Sequence, residues 1–146
     1  MITPIKIINK KSQLIDNLKY NSFIAKLDGK TCVNLDEFYA SISRSFQFPD
    51  YFGRNLDALY DCLVDLDWIH ESEIKLFIIN FDEFLIDEKD PTALASILNI
   101  FYEVAIERNL QQNDIGEKNF SIYFLNSEKA IKALAQMEIP YEKLHK

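Results

Sequence analysis

The chain has 146 residues, 48% of them hydrophobic and 13% aromatic, and a net charge of −7 at pH 7. That fits one ordinary domain with a buried core and excludes general disorder. Three glycines and four prolines exclude collagen-like chains and most glycine-rich phosphate cradles, and no apolar run approaches the roughly 18–20 residues of a membrane span.

In chain order, residues 5–8 predict a short strand, and residues 12–20 a short amphipathic helix with Leu14, Ile15 and Leu18 on one face. Residues 23–27 read as a strand ended by the turn Asp28-Gly29. Asn34 with Glu37 three residues on is a capping box, opening a helix over 35–46 whose buried stripe is Leu35, Phe38, Tyr39, Ile42 and Phe46. Pro49 ends that element. Asn55 caps a helix over 56–66 with Leu56, Leu59, Leu63 and Leu66 inward. A polar stretch, 67–73, leads to a near-continuous apolar strand, 74–79, of the kind covered on both faces. Asp90-Pro91 opens a helix to 108 with Leu94, Ile97, Leu98, Phe101 and Ala105 inward. Residues 120–125 read as a strand, and Ser127 caps a last helix carrying Ile131, Leu134 and Met137. Strands alternating with helices favour parallel neighbours and an α/β domain of two or three layers. Neither repeats nor linkers are visible, so residues 1–146 are read as a single domain.

The cysteines, Cys32 and Cys62, lie among apolar residues in no metal-like spacing, so buried free thiols in a reducing compartment are expected. Lys6 interrupts the N-terminal apolar run and no small-residue cleavage site follows, so a cytoplasmic protein is expected. Eleven of the acids fall between Asp57 and Asp90 against two lysines, a local −9, while the rest of the chain carries +2. Such a field repels nucleic acid and attracts a cationic partner.

Neither histidine, His70 or His145, has a context suggesting a base beside a nucleophile, and no nucleotide, hydrolase or zinc-protease motif occurs. Asp57, Asp61 and Glu103 could form a magnesium site, yet so acidic a sequence offers such sets by chance. The expectation is no catalytic residue, no metal and no cofactor. The stronger signal is Asp57, Asp61 and Asp65 at i, i+4 and i+8, projecting from nearly one side of the 56–66 helix. Like charges at that spacing oppose the helix, and the cation nearest in sequence is Arg54, before it. Tyr51, Phe52 and Tyr60 crowd the same region, and aromatics beside unpaired carboxylates suit an interaction surface.

The run Phe48-Pro49-Asp50-Tyr51-Phe52-Gly53-Arg54-Asn55-Leu56-Asp57-Ala58-Leu59-Tyr60-Asp61-Cys62-Leu63 resembles the signature of the barstar family, small intracellular inhibitors of bacterial ribonucleases. Weaker resemblance extends from about residue 23 to 125. The resemblance implies a three-layer α/β/α fold, a small parallel sheet flanked by helices, with segments 1–20 and 127–146 as extensions of that core. It implies a proteinaceous inhibitor, an antitoxin or immunity protein, whose acidic helix and aromatic loop block the active site of a cognate ribonuclease. The partner-binding residues would be Tyr51, Phe52, Gly53, Asn55, Leu56, Asp57, Tyr60, Asp61 and, from the later helix, Glu103. The partner would be a cationic ribonuclease toxin bound one to one, with no direct nucleic-acid or membrane binding.

Arg54 stands where the best-known member of the family has an acid, Phe52 lacks a hydroxyl, and Tyr60 replaces a Trp. Val64 and Asp65 replace a more polar run, and the 67–73 linker is longer and contains Trp68. Arg54, Val64, Asp65 and Trp68 are therefore further contact candidates bearing on partner choice. The alternative reading is a regulatory binding module of the same fold whose partner is not a nuclease.

Overall fold

The computed structural model describes residues 3–16, 18, 21–110 and 119–145. Five strands, β1 (Ile5–Ile8), β2 (Ser22–Asp28), β3 (Glu73–Ile79), β4 (Asn119–Leu125) and β5 (Glu142–Lys143), form one sheet in the order β2-β3-β4-β1-β5. Every pairing is parallel. The helices are α1 (Lys11–Ile15), α2 (Leu35–Phe46), α3 (Leu56–Asp65), α4 (Ala93–Leu110) and α5 (Glu128–Gln136).

Alternation along the strands divides the sheet into two unequal faces. Ala25 and Leu27 of β2, Ile74, Leu76 and Ile78 of β3, Phe120, Ile122 and Phe124 of β4, and Ile5 and Ile7 of β1 point into the main core. Buried side chains from α2, α3, α4 and α5 fill that same core. The opposite face holds a small second cluster of Ile8, Phe77 and Tyr123 under Leu14 of α1. The third layer is thus thin. On this face β3 carries two buried charges, Glu73 and Lys75. The Lys75 ammonium lies 3.3 Å from Glu73 Oε1 and donates to Tyr123 Oη at 3.2 Å and Ser121 Oγ at 3.4 Å. These partners satisfy a charge that would otherwise be expensive to bury.

Several sequence-based boundaries move. The 91–108 helix begins at Ala93, because the Thr92 N–H and hydroxyl both donate to Asp90 Oδ1, at 2.9 and 2.7 Å, and hold Asp90–Thr92 in a turn. The 12–20 helix is the five-residue α1. Its proposed stripe does not hold together, since Leu14 is buried and Ile15 is 52% exposed. Residues 17, 19 and 20 lie outside the described residues. Helix α3 stops at Asp65, and Leu66 turns left-handed (φ 47°) while its side chain stays in the core. The polar stretch 67–73 also buries Ile69 and Glu73. The terminal segments expected as extensions supply β1, α5 and β5, with β1 lying between β4 and β5. Cys32 and Cys62 are buried free thiols, and burial pushes both above the ordinary thiol range.

Candidate functional site

The site begins where α2 ends. Gln47 takes the left-handed conformation (φ 56°), and the N–H groups of Gln47 and Phe48 donate back to Arg44 O (3.3 Å) and Ser43 O (2.9 Å). This is the hydrogen-bond pattern that closes helix carbonyls and reverses the chain. Phe48 then packs on Phe46, on Phe52 with ring centroids 4.8 Å apart, and edge-on to Trp68. Phe52 also meets Tyr39 edge-on at 6.0 Å. The loop therefore rests on an aromatic floor, while Tyr51 above it is 74% exposed.

Asn55 joins the loop to α3. Its Oδ1 accepts the Ala58 N–H at 2.8 Å, as an N-cap should, and its Nδ2 donates to Gly53 O at 3.3 Å. A Cβ on Gly53 would lie 3.2 Å from that Nδ2, so a side chain there crowds the cap. Between them Arg54 sits at φ 52°, a conformation that disfavours a residue with a Cβ. Strain of this kind collects at functional loops.

Helix α3 packs against α4. Leu59 and Leu63 face the core, which turns Asp57 and Asp61 outward along the seam with α4. There Leu56, Asp57, Tyr60 and Asp61 of α3 meet Ile100 and Glu103 of α4 around a groove of about 520 Å³. Asn99 Nδ2 donates to Glu103 Oε1 at 3.1 Å and steadies that carboxylate. Among the described residues no lysine or arginine joins the three carboxylates in the lining of the groove. Leu56, Tyr60 and Ile100 supply the apolar wall.

The far end of α3 is different. Asp65 is exposed, and slight desolvation followed by the neighbouring Asp67 carboxyl raises it above its ordinary 3.8. Arg108 of α4 is 4% exposed, and its guanidinium donates to Leu63 O at 3.3 Å and to Val64 O. It thus satisfies α3 carbonyls and places a cation at the negative end of the helix.

The expected residues therefore fall into three places. Leu56, Asp57, Tyr60, Asp61 and Glu103 share the groove. Tyr51, Phe52, Gly53, Arg54 and Asn55 form the adjoining loop. Val64, Asp65 and Trp68 lie toward the other end of α3. Trp68 is partly buried, with its indole N–H donated to Phe46 O at 2.8 Å. Sequence reasoning missed Ile100 and Arg108. Ile100 is three residues before Glu103, a spacing that puts both on one helix face and could have found it. Arg108 carries no local signal, because its partners are 44 and 45 residues away.

A profile of the family Barstar (barnase inhibitor) matches residues 22–124, and the chain belongs to that family. Among curated proteins it is similar to "Putative ribonuclease inhibitor YrdF" of Bacillus subtilis (strain 168), with 38% identity over 56 residues. That alignment covers 38% of this chain and 58% of the relative, so the match spans little more than half of the relative's length. Among solved structures the chain is similar to the Aeropyrum pernix ORC2 protein determined as ADPNP-ADP complexes, with a TM-score of 0.58 and 15% identity. The likeness covers 98% of this chain and 42% of that one, and at this identity it bears on the fold alone. Among the described residues no helix is long and apolar enough to cross a membrane.

Proposed function

We propose that this chain inhibits a cationic bacterial ribonuclease by seating the α3–α4 groove and the 51–55 loop over its active-site cleft. The observation that carries the reading is the groove itself: Asp57, Asp61 and Glu103 converge beside Tyr60 and Ile100 with no cation among the described lining residues. A nuclease cleft holds phosphates with basic side chains. Carboxylates set at similar spacing accept charge-assisted, sometimes bidentate, hydrogen bonds from those same groups. RNA is then excluded by occupancy, with no catalytic step, metal or cofactor on the inhibitor's side. The −9 stretch steers encounter with a basic protein and disfavours contact with RNA. On this reading the chain acts in the cytoplasm as an antitoxin or immunity protein, one to one with its toxin. Arg54, exposed at the rim, faces a carboxylate of the cognate enzyme.

The test is co-purification from the native cell, or co-expression with the neighbouring reading frame, followed by calorimetry on the partner obtained. We expect a small basic ribonuclease silenced at one-to-one stoichiometry. Asp61→Ala should weaken binding by more than about 2 kcal/mol, the range of an interface hot spot, and association should slow as salt rises. A partner without nuclease activity would sink this reading and leave a regulatory binding module of the same fold.

A further inference from the structure

A second cavity lies where the strand order reverses. Strands β4 and β1 are neighbours, yet the chain leaves them on opposite faces. From β1 it passes through α1, whose Leu14 packs on the thin face with Ile8, Phe77 and Tyr123. From β4 it passes through α5, whose Ala130 and Leu134 pack in the main core. Diverging connections of this kind leave a crevice outside the carboxyl ends of parallel strands, the place where open α/β sheets take ligands.

The crevice here has a volume of about 210 Å³ and is lined by Ile7, Asn9, Asn126, Lys143, Leu144 and His145. The volume suits one phosphate-sized group and is too small for a nucleoside. Asn126 Nδ2 donates to Asn9 Oδ1 at 3.0 Å, tying the two strand ends together across the mouth. The wall beyond β1 is fixed by Leu144, whose N–H donates to Ile7 O at 2.9 Å and whose carbonyl accepts Gln13 Nε2 at 2.8 Å. Residues 143 and 145 flank that anchored position two apart in extended chain, so Lys143 and His145 project to the same side. Among the described residues no carboxylate lines the cavity, and neighbouring Glu142 is taken by Lys6 at 2.7 Å. The Asn9 and Lys10 N–H groups that lead into α1 are already taken, both donating to Gln13 Oε1.

We infer that this cavity binds a small tetrahedral oxyanion of the phosphate class, held by Lys143 and His145 with the Asn9 and Asn126 amides. It shares no residue with the α3–α4 groove and is independent of the inhibitor reading. The experiment titrates the ¹⁵N-labelled full chain with inorganic phosphate at constant ionic strength, following the side-chain amides of Asn9 and Asn126. We expect saturable shifts in the millimolar range, weakened at least tenfold in Lys143→Ala and retained in Lys143→Arg. Asp61→Ala should titrate like the parent chain. Adenosine monophosphate gives the second arm: saturation at the same amides assigns a phosphomonoester, and failure where phosphate succeeds assigns the free ion. Shifts that follow sodium chloride alone, or a Lys143→Ala chain that titrates unchanged, overturn the assignment.

Discussion

Helices α2 and α3 are built to one plan and charged to opposite ones. Each opens on an asparagine N-cap with the same backbone geometry, φ −145° and ψ 173°, and each ends on a left-handed residue, Gln47 or Leu66. Helix α2 has Asp36 and Glu37 in its first turn and Arg44 in its last, so its side chains complement the helix dipole at both ends. Helix α3 has Asp57 in its first turn, Asp65 at its end and no base in its last turn. Its own charges oppose it at the carboxyl terminus, and the missing cation comes from Arg108 of α4. A helix arranged this way retains its acids for something other than its own stability, and the groove beside α4 is the use we propose.

The comparison can be broken at several points. The largest effect belongs to Arg108→Ala. Removing it leaves α3 carbonyls without their donor and a gap in the α3–α4 seam, so chemical denaturation should show a loss of about 2–4 kcal/mol. Arg44→Ala, the corresponding change on α2, removes an exposed group and should cost under about 1 kcal/mol. Equal costs would show that α3 does not lean on its neighbour.

Asn34→Ala and Asn55→Ala should each cost about 1 kcal/mol, the usual worth of such a cap. They should part company on binding. Only Asn55 also holds Gly53 O, so only Asn55→Ala should weaken binding of the proposed ribonuclease partner; a matching loss in Asn34→Ala would point to general destabilisation.

The smallest effect is Asp65→Asn. The folded chain holds the Asp65 proton more tightly than the unfolded chain does, so the parent loses stability as pH rises from about 3.8 through the raised folded value. The asparagine variant should therefore be more stable at neutral pH by a few tenths of a kcal/mol, on the scale of like-charge pairs at helical spacing. The two melting curves should converge in acid. A neutral-pH melting point lowered by the substitution would mean that Asp65 stabilises α3.

Much of this was legible from local pattern. The 35–46 stripe, the two asparagine caps and the acidic face of α3 all rest on residues within a few positions of one another, and the periodicity reports them directly. The groove is half legible: Glu103 comes with the family resemblance, while Ile100 is one apolar residue among many in α4. What stayed hidden depends on distant partners. Lys75 interrupts the apolar run of β3 and is affordable only because β4 brings Ser121 and Tyr123 beside it, with Lys75 opposite Ser121 and Phe77 opposite Tyr123. Arg108 is read as a helix end until α3 is placed across from it. The start of α4 is ambiguous in the sequence because an Asp-Pro pair suits a helix start and a turn alike, and the Thr92 hydroxyl decides for the turn.

The position of β1 has a consequence for synthesis. Ile5 pairs with Ile122, and Ile8 with Leu125, so β1 waits for a partner made 117 residues later. At about 5–20 residues per second on the ribosome, that interval is on the order of 6–23 seconds. Throughout it Ile5, Ile7 and Ile8 have neither their ladder nor their core. Contacts so far apart in sequence also close slowly once the chain is free. From the synthesis of β1 to that of β4 the nascent chain therefore carries an unprotected apolar strand, and rapid synthesis should depend on chaperones that cover such a strand.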